Sequence, residues 1–159
     1  ISACLVGSEM CIRDRYQIQL FEAALDKDGI AYKEYAIADT NEVQSVTTAA
    51  AGECDVLYIP TDNTLASVTE TVYNVVAPAK IPVIAGEEGI CNGCGVATLS
   101  ISYYDLGYAT GEMAYEILAE GADITTMDVR YAPNVTKKYN AKICEELGIT
   151  VPDDYVAIQ

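Results

Sequence analysis

The feature that most constrains the fold is an alternation of short apolar runs with longer segments of helical spacing. The run CDVLYIP at residues 54–60 is apolar and β-branched, and further runs cover residues 31–38, 81–85 and 96–101. Such runs are typical of strands buried on both faces of a parallel sheet. Because short connections join them to helical segments, the sequence predicts an α/β fold with a doubly wound, mostly parallel sheet.

Helices are predicted between the strands. Apolar residues from Ile18 to Leu25 share one helical face, and Gly29 stands where a C-cap is expected. The residues Asp39, Thr40 and Asn41 suit the cap of a helix that runs through Gly52. Another helix covers residues 63–77, and Pro78 is expected to end it.

The C-terminal third begins with a clear amphipathic helix at residues 104–121. Its apolar stripe comprises Leu106, Thr110, Met113 and Ile117, and Gly107 and Gly111 would allow close approach to a sheet. Beyond it the pattern predicts strands at residues 129–132 and 135–139, a helix at residues 141–147 closed by Gly148, and a turn at residues 152–154.

Charge and histidine content exclude several classes of function. Nine basic residues against 24 acidic ones give a net charge of −15, which repels phosphate backbones, so nucleic-acid binding is not expected. Histidine is absent, which removes the commonest general base and the commonest metal ligand. The sequence also lacks the glycine-rich and nucleophile motifs GxGxxG, GxxxxGK[ST] and GxSxG, so no cofactor is predicted.

The six cysteines form no disulfide framework by their spacing and leave the redox compartment open. Cys54 and Cys144 are interpreted as small core residues. Cys91 and Cys94 make a CxxC in a predicted loop, without a second pair or a histidine to complete a zinc site. Free thiols, a local disulfide and a redox role all remain open for this pair.

Two loops after strands are the candidate ligand site, since ligands of open α/β sheets bind beyond the carboxyl ends of strands. In the first loop, Asp62 could accept hydrogen bonds from a ligand ammonium while Thr61, Asn63 and Thr64 lie at a helix start with free amides. The alternative is that Asp62 and its neighbours only cap the helix. Both roles can coexist.

The second loop contains Gly86, which would let the backbone approach a ligand, and Glu87, which would point into the same cleft. An ordinary solvated turn is the alternative. Tyr103 and Tyr104 follow the next strand end and could form an aromatic wall for a ligand, or belong to the core. No metal site and no catalytic residue is predicted.

Residues 1–15, ISACLVGSEMCIRDR, differ from the rest of the chain and resemble translated adapter read-through. Residues 3–7 could form a short strand, whereas residues 9–15 show no period and no cap. The segment also lacks the basic start and apolar stretch of a signal peptide. It is therefore predicted to be non-native.

Four ordered motifs resemble the family of ABC-transporter substrate-binding proteins that includes tryptophan- and tyrosine-type binding lipoproteins. They are DVLYIPTDNTLASV, KIPVIAGEEG, GVATLSISYYDLGYATGEMAYEIL and LGITVPDDYVA, starting at residues 55, 80, 95 and 147. The resemblance implies one lobe of a type I periplasmic-binding protein plus elements returned to the other lobe. Residues 16–102 would be most of the second lobe, and residues 103–159 would be a helix and crossing segments of the first lobe and hinge.

The resemblance also assigns site residues. Thr61, Asp62, Asn63 and Thr64 match the family's cleft loop, Gly86 and Glu87 match the next one, and Ser102 would lie at a hinge crossing beside Tyr103. The chain departs from the family twice. Residues 12–15 stand where members carry a Ser/Asn-rich loop that grips the ligand carboxylate, and Ser102 stands where members often carry Asp.

The function expected from these observations is binding, not catalysis. The chain would belong to an extracytoplasmic, lipid-anchored protein that delivers a small amino-acid-like ligand, plausibly aromatic, to ABC permease subunits. One alternative is the effector domain of a cytosolic transcription regulator with the same fold, and another is a CxxC-dependent oxidoreductase. An upstream helix-turn-helix or an upstream lipobox cysteine would distinguish the first alternative from the binding protein.

Overall fold

A seven-stranded sheet organises the computed structural model, which describes residues 1–8 and 12–158. The strands are β1 Ser2–Ser8, β2 Ala31–Ile37, β3 Val56–Ile59, β4 Val83–Ala85, β5 Ala97–Ile101, β6 Val135–Tyr139 and β7 Val156–Ala157. Their order in the sheet is β2-β1-β3-β4-β5-β6-β7. Parallel pairing joins β1 to β2 and β3, β3 to β4, and β4 to β5. The predicted α/β fold with a mostly parallel sheet is confirmed.

Seven helices are found in the described part of the chain. They are α1 Ile12–Asp28, α2 Val43–Glu53, α3 Asn63–Ala66, α4 Thr69–Ala79, α5 Glu88–Cys94, α6 Tyr103–Leu118 and α7 Ala141–Leu147, with a 3₁₀ turn at Ile124–Thr126. Among these residues, no helix combines the length and apolarity needed to cross a bilayer. The chain divides into one unit of Ile1–Leu99 with Lys137–Gln159 and a second unit of Ser100–Thr136.

The core lies on both faces of the strands, which explains why they read as continuous apolar runs. On one face, Val6, Leu57 and Val83 are fully buried in a cluster that includes residues of α2, α4 and α5. On the other face, Leu5 packs with Leu25 of α1. Successive residues of β1 therefore contribute to opposite clusters, as the alternation of side chains along a strand requires.

The segment predicted to be non-native supplies an interior strand of the sheet. β1 lies between β2 and β3, and Ala3, Cys4, Leu5 and Val6 are buried. The strand expected at residues 3–7 is thus present. From Ile12 the chain is helical, against the expectation of no regular structure there, while residues 9–11 of that prediction lie outside the described residues. The foreign origin of residues 1–15 stays a prediction.

A disulfide joins Cys4 to Cys54, with 5.8 Å between their Cα atoms. β1 and β3 are neighbouring strands and Cys54 lies just before β3, so the sheet brings the two cysteines together although 50 residues separate them. Sequence spacing could not indicate this pair. Cys54 is buried, as predicted, but the interpretation of the cysteines as lacking a disulfide framework needs this correction.

Three predicted elements differ in the structure. The helix expected at residues 63–77 is broken into α3 and α4, and α4 continues through Pro78 to Ala79 before Lys80 adopts a left-handed conformation at φ 56°. Pro78 costs α4 one backbone hydrogen bond in its last turn, because proline has no N–H to donate to the carbonyl four residues earlier. Residues 129–132 form no strand, and α2 begins at Val43 after a Glu42 that makes no side-chain cap.

The long helix is confirmed as α6, but its glycines do not meet a sheet. A Cβ built at Gly107 or at Gly111 would have no heavy atom within 4 Å among the described residues. Leu106, Met113 and Ile117 of the predicted stripe are half-buried, whereas Thr110 is exposed. The element and its stripe were predictable, but the partner surface was not.

Asn140 ties the C-terminal segment of the first unit to α5. Its Nδ2 donates to the carbonyl oxygens of Cys91 at 3.2 Å and Asn92 at 2.9 Å, while its Oδ1 accepts from the Ile143 amide at 3.2 Å. Its own amide donates to Val96 O at 3.0 Å. One buried side chain therefore caps α7 and holds the last turn of α5.

Asn140→Ala should lower the free energy of unfolding by about 2–4 kcal/mol, because it removes a helix cap and two hydrogen bonds from Nδ2 to the carbonyls of α5. Urea denaturation of the two proteins measures the difference. Asn74→Ala, at an exposed position of α4, is the matched control and should stay within about 0.5 kcal/mol of the unchanged protein. Equal effects of the two substitutions would contradict the role given to Asn140.

Candidate functional site

The candidate site forms where β3 and β4 end side by side. The register sets Ile59 opposite Ala85, so the loops that begin at Pro60 and Gly86 leave the sheet at the same level. The sequence had placed ligand-binding residues in both loops. Parallel strands thus bring the two loops together at one edge of the sheet, as predicted.

The two loops are in backbone contact at Gly86. A Cβ at this position would lie 2.7 Å from Thr61 N and 2.8 Å from the carbonyl carbon of Pro60, closer than real Cβ atoms approach. Gly7, near the end of β1, is also closely packed: a Cβ built there would lie 3.2 Å from Cγ of Pro60. Glycine is therefore required at residue 86 by close packing of the loops.

Thr61 connects the loops by hydrogen bonds. Its hydroxyl donates to Gly86 O at 3.2 Å, and its amide donates to Oε1 of Gln17 at 2.9 Å. Gln17 lies on α1 and was not among the predicted site residues. Its position in the sequence gave no signal, because a glutamine in an amphipathic helix is ordinarily a surface residue.

Asp62 caps α3, which confirms the capping interpretation. Its side chain is 1% exposed, and Oδ1 accepts from the amides of Thr64 at 2.7 Å and Leu65 at 3.2 Å. Asn63 is exposed and Thr64 is half-buried at the same turn. A contact between Asp62 and a ligand ammonium stays a prediction.

Glu87 also acts as a helix cap and does not lie in a simple solvated turn. Its carboxylate accepts from the amide of Gly89 at 2.8 Å and from the amide of Ile90, at the start of α5. The next residue, Glu88, pairs with Lys138 at 2.6 Å, so the β4 loop is held to β6. Both acids of this loop therefore carry structural contacts.

Ser102 and Tyr103 belong to the second unit. The Ser102 hydroxyl oxygen accepts from the Asp105 amide at 3.1 Å and so caps α6. Tyr103 and Tyr104 are exposed at the first turn of that helix. Neither tyrosine lies in a buried cluster of the described residues, and both interpretations, a ligand pocket and a core position, stay predictions.

The CxxC lies within α5 and not in the loop that the sequence predicted. Cys91 and Cys94 are free and buried, as is Cys144. Burial raises the pKa of the Cys91 and Cys94 thiols to about 12 each, so both remain protonated near neutral pH. Thiolates are the reactive form, so this environment does not suit a redox centre.

Metal binding finds no support in the geometry. Among the described residues, no three histidine, cysteine or carboxylate side chains are arranged to hold an ion.

A cavity of about 250 Å³ lies at the opposite edge of the sheet, where strands β3, β4 and β5 begin. Its lining includes Val56, Pro82, Val96, Tyr139 and Tyr155 and is almost entirely apolar. A charged amino group or carboxylate would lose its hydration there without gaining a partner. The polar loops at the carboxyl ends are the better site for such a ligand.

Gly86→Ala should lower the free energy of unfolding by about 1–3 kcal/mol, because the added methyl group forces the two loops apart. Gly52→Ala is the matched control. It lies in α2 with nothing within 4 Å and should be neutral or stabilising by up to about 1 kcal/mol. Denaturant titration of both variants measures the difference, and a Gly86→Ala protein as stable as the control would refute the close contact.

Known proteins share both the sequence and the fold. The family model described as ABC transporter substrate binding protein matches residues 8–158. A tyrosine-binding protein of Clostridioides difficile (strain R20291) is 34% identical over 122 residues, which cover 74% of this chain and 35% of that protein.

Three solved structures are similar over 99% of this chain. The ABC domain in complex with L-Trp from Streptococcus pneumonia has a TM-score of 0.89, 28% identity and 56% coverage of its own chain. A conserved domain protein from Vibrio cholerae has a TM-score of 0.88, 28% identity and 54% coverage. The ligand-free, open structure of a substrate binding protein with adhesive properties from Clostridium difficile has a TM-score of 0.77, 31% identity and 55% coverage.

The chain thus spans about a third of the curated relative and about half of each solved structure. The matching family and the curated relative are described as binding proteins, which points to binding and not to catalysis. The family match extends over nearly the whole described chain, including both loops of the candidate site. The chain belongs to the ABC transporter substrate-binding protein family.

Proposed function

We propose that the chain is the ligand-binding back half of an extracytoplasmic solute-binding protein that serves an ABC importer. Its ligand would be a small molecule of the amino-acid class, plausibly with an aromatic side chain. The ligand would be held between two lobes and delivered to permease subunits. The observation that carries the proposal is the joined pair of polar loops at the carboxyl ends of β3 and β4, in a chain related to a tyrosine-binding protein and a structure bound to L-Trp.

The proposed lobes follow the two compact units, with the first unit as the second lobe and the second unit as part of the first lobe. The second lobe would comprise Ile1–Leu99 with Lys137–Gln159, and Ser100–Thr136 would belong to the first lobe. This differs from the sequence-based boundary, which assigned everything after residue 102 to the first lobe and hinge. The contacts of Asn140 with α5 support moving residues 137–159 to the second lobe.

The exposed surface of α6 supports the proposal that this chain is part of a larger protein. None of its residues is buried, and Tyr104 and Leu118 are 80% and 85% exposed. An apolar surface of this extent usually marks an interaction site. We propose that the remainder of the first lobe covers α6 in the longer protein, which fits a chain that spans about half of its structural relatives.

The proposed ligand contacts are described for each unit by itself. In the first unit, the amides of Thr61 and Thr64, expected to be free, donate to Gln17 and Asp62. The side chains of Asn63 and Thr64 are therefore the proposed ligand contacts of this turn, and Asp62 would pair with the ligand ammonium. Gly86 allows the loops to approach, and Glu87 orders the second loop. In the second unit, Ser102 and Tyr103 are proposed as ligand contacts of the longer protein, since a tyrosine ring suits an apolar or aromatic side chain.

The longer protein encoded by the upstream reading frame should bind L-tyrosine or L-tryptophan saturably, because the strand-edge loops and the family relatives both suit a zwitterionic aromatic ligand. Isothermal titration calorimetry measures this directly, with D-glucose as a control ligand of another class. No saturable heat with any of the common amino acids would refute the ligand assignment. An upstream helix-turn-helix would instead favour the regulator.

Asp62→Asn should weaken amino-acid binding about tenfold or more, because it removes the charge that would face the ammonium. Its folding stability should stay nearly unchanged, since asparagine caps helices as well as aspartate does. Asp62→Ala, which loses the cap as well, should also lower the free energy of unfolding by about 1 kcal/mol. Unchanged affinity in Asp62→Asn would show that Asp62 is a cap alone.

A further inference from the structure

Gln17 on α1 makes a side-chain hydrogen bond to the loop of residues 60–64. The bond joins Gln17 Oε1 to Thr61 N at 2.9 Å and is partly buried. Thr61 is the second residue beyond β3. At this point the backbone has left the sheet, so its amide would otherwise have no partner in the strand ladder.

The contacts around Thr61 leave its backbone little freedom. On one side the Thr61 hydroxyl donates to Gly86 O, and on the other side its amide donates to Gln17. Pro60 precedes it with a fixed φ and packs against Gly7. The direction in which the chain enters α3 is therefore set by Pro60, Gly86 and Gln17. Unlike a proline or a glycine, Gln17 can be replaced without changing the conformations that the loop backbone can adopt.

We propose that Gln17 is a positioning residue of the ligand site, acting through Thr61. This inference rests on the proposed function and extends it to a residue that contacts the cleft loop from behind. By fixing the Thr61 amide, Gln17 keeps Asn63 and Thr64 in the arrangement that a ligand meets. Without it, binding has to order the loop first, which lowers affinity.

The experiment compares Gln17→Leu with Gln17→Glu in the longer protein. Leucine removes the acceptor at similar size, whereas glutamate retains an oxygen that can accept from Thr61 N. We expect Gln17→Leu to weaken L-tyrosine or L-tryptophan binding about tenfold, the effect of one lost hydrogen bond, and Gln17→Glu to stay within about threefold of the unchanged protein. Calorimetry measures affinity, and amide hydrogen exchange by NMR measures protection of the Thr61 amide.

Gln19→Leu is the matched control, since Gln19 is exposed on the same helix. It should change neither affinity nor Thr61 protection. Loss of both quantities in Gln17→Leu, with both retained in Gln17→Glu, supports the proposal. The proposal is overturned if Gln17→Leu retains its affinity for the ligand. It is also overturned if either variant loses affinity while its Thr61 amide stays protected from exchange.

Failure of the proposed function gives a different result. If the unchanged protein binds no amino acid saturably, the ligand assignment fails whatever the variants do. Protection of the Thr61 amide from hydrogen exchange, measured without ligand, then still decides whether Gln17 fixes the loop. Equal Thr61 exchange in Gln17→Leu and in the unchanged protein would overturn the positioning role independently of any ligand.

Discussion

The structure depends on burial of an interior strand, β1, on both of its faces. Backbone hydrogen bonds to β2 and β3 are independent of side-chain identity, so the position demands only apolar residues of suitable size. The residues from Ala3 to Val6 meet that demand and are buried. A segment that resembles unrelated sequence can therefore occupy the middle of the sheet, provided that its alternating side chains fill the two clusters on either side.

Much of this fold was predictable because strands buried on both faces leave long apolar runs, and because Gly29 and Gly148 end helices in the left-handed conformation that glycine favours. The failures have local causes. A single amphipathic pattern covers α3 and α4, so the break between them left no trace in the periodicity. The apolar residues near Val129 resemble a strand but are exposed, and no neighbour pairs with them in the described chain.

The candidate site was predictable as a pair of loops but not as a set of contacts. Asp62 and Glu87 are residue types that either cap a helix or bind a ligand, and the same sequence fits both roles. Their hydrogen bonds to backbone amides became visible only in three dimensions. Gln17 was missed for a related reason, since its partner is a backbone amide 44 residues away and such a contact has no sequence signature.

The return of Lys137–Gln159 to the first unit has a consequence for synthesis of the chain. Val96, Ile143 and Cys144 form one buried cluster, so the surface around Val96 is completed only when α7 has been made. The ribosome adds roughly 5–20 residues per second, so the stretch between Leu99 and Lys137 delays completion by about two to eight seconds. During that interval the nascent first unit lacks the α7 side chains that pack against Val96. Folding of the first unit is thus coupled to synthesis of α7.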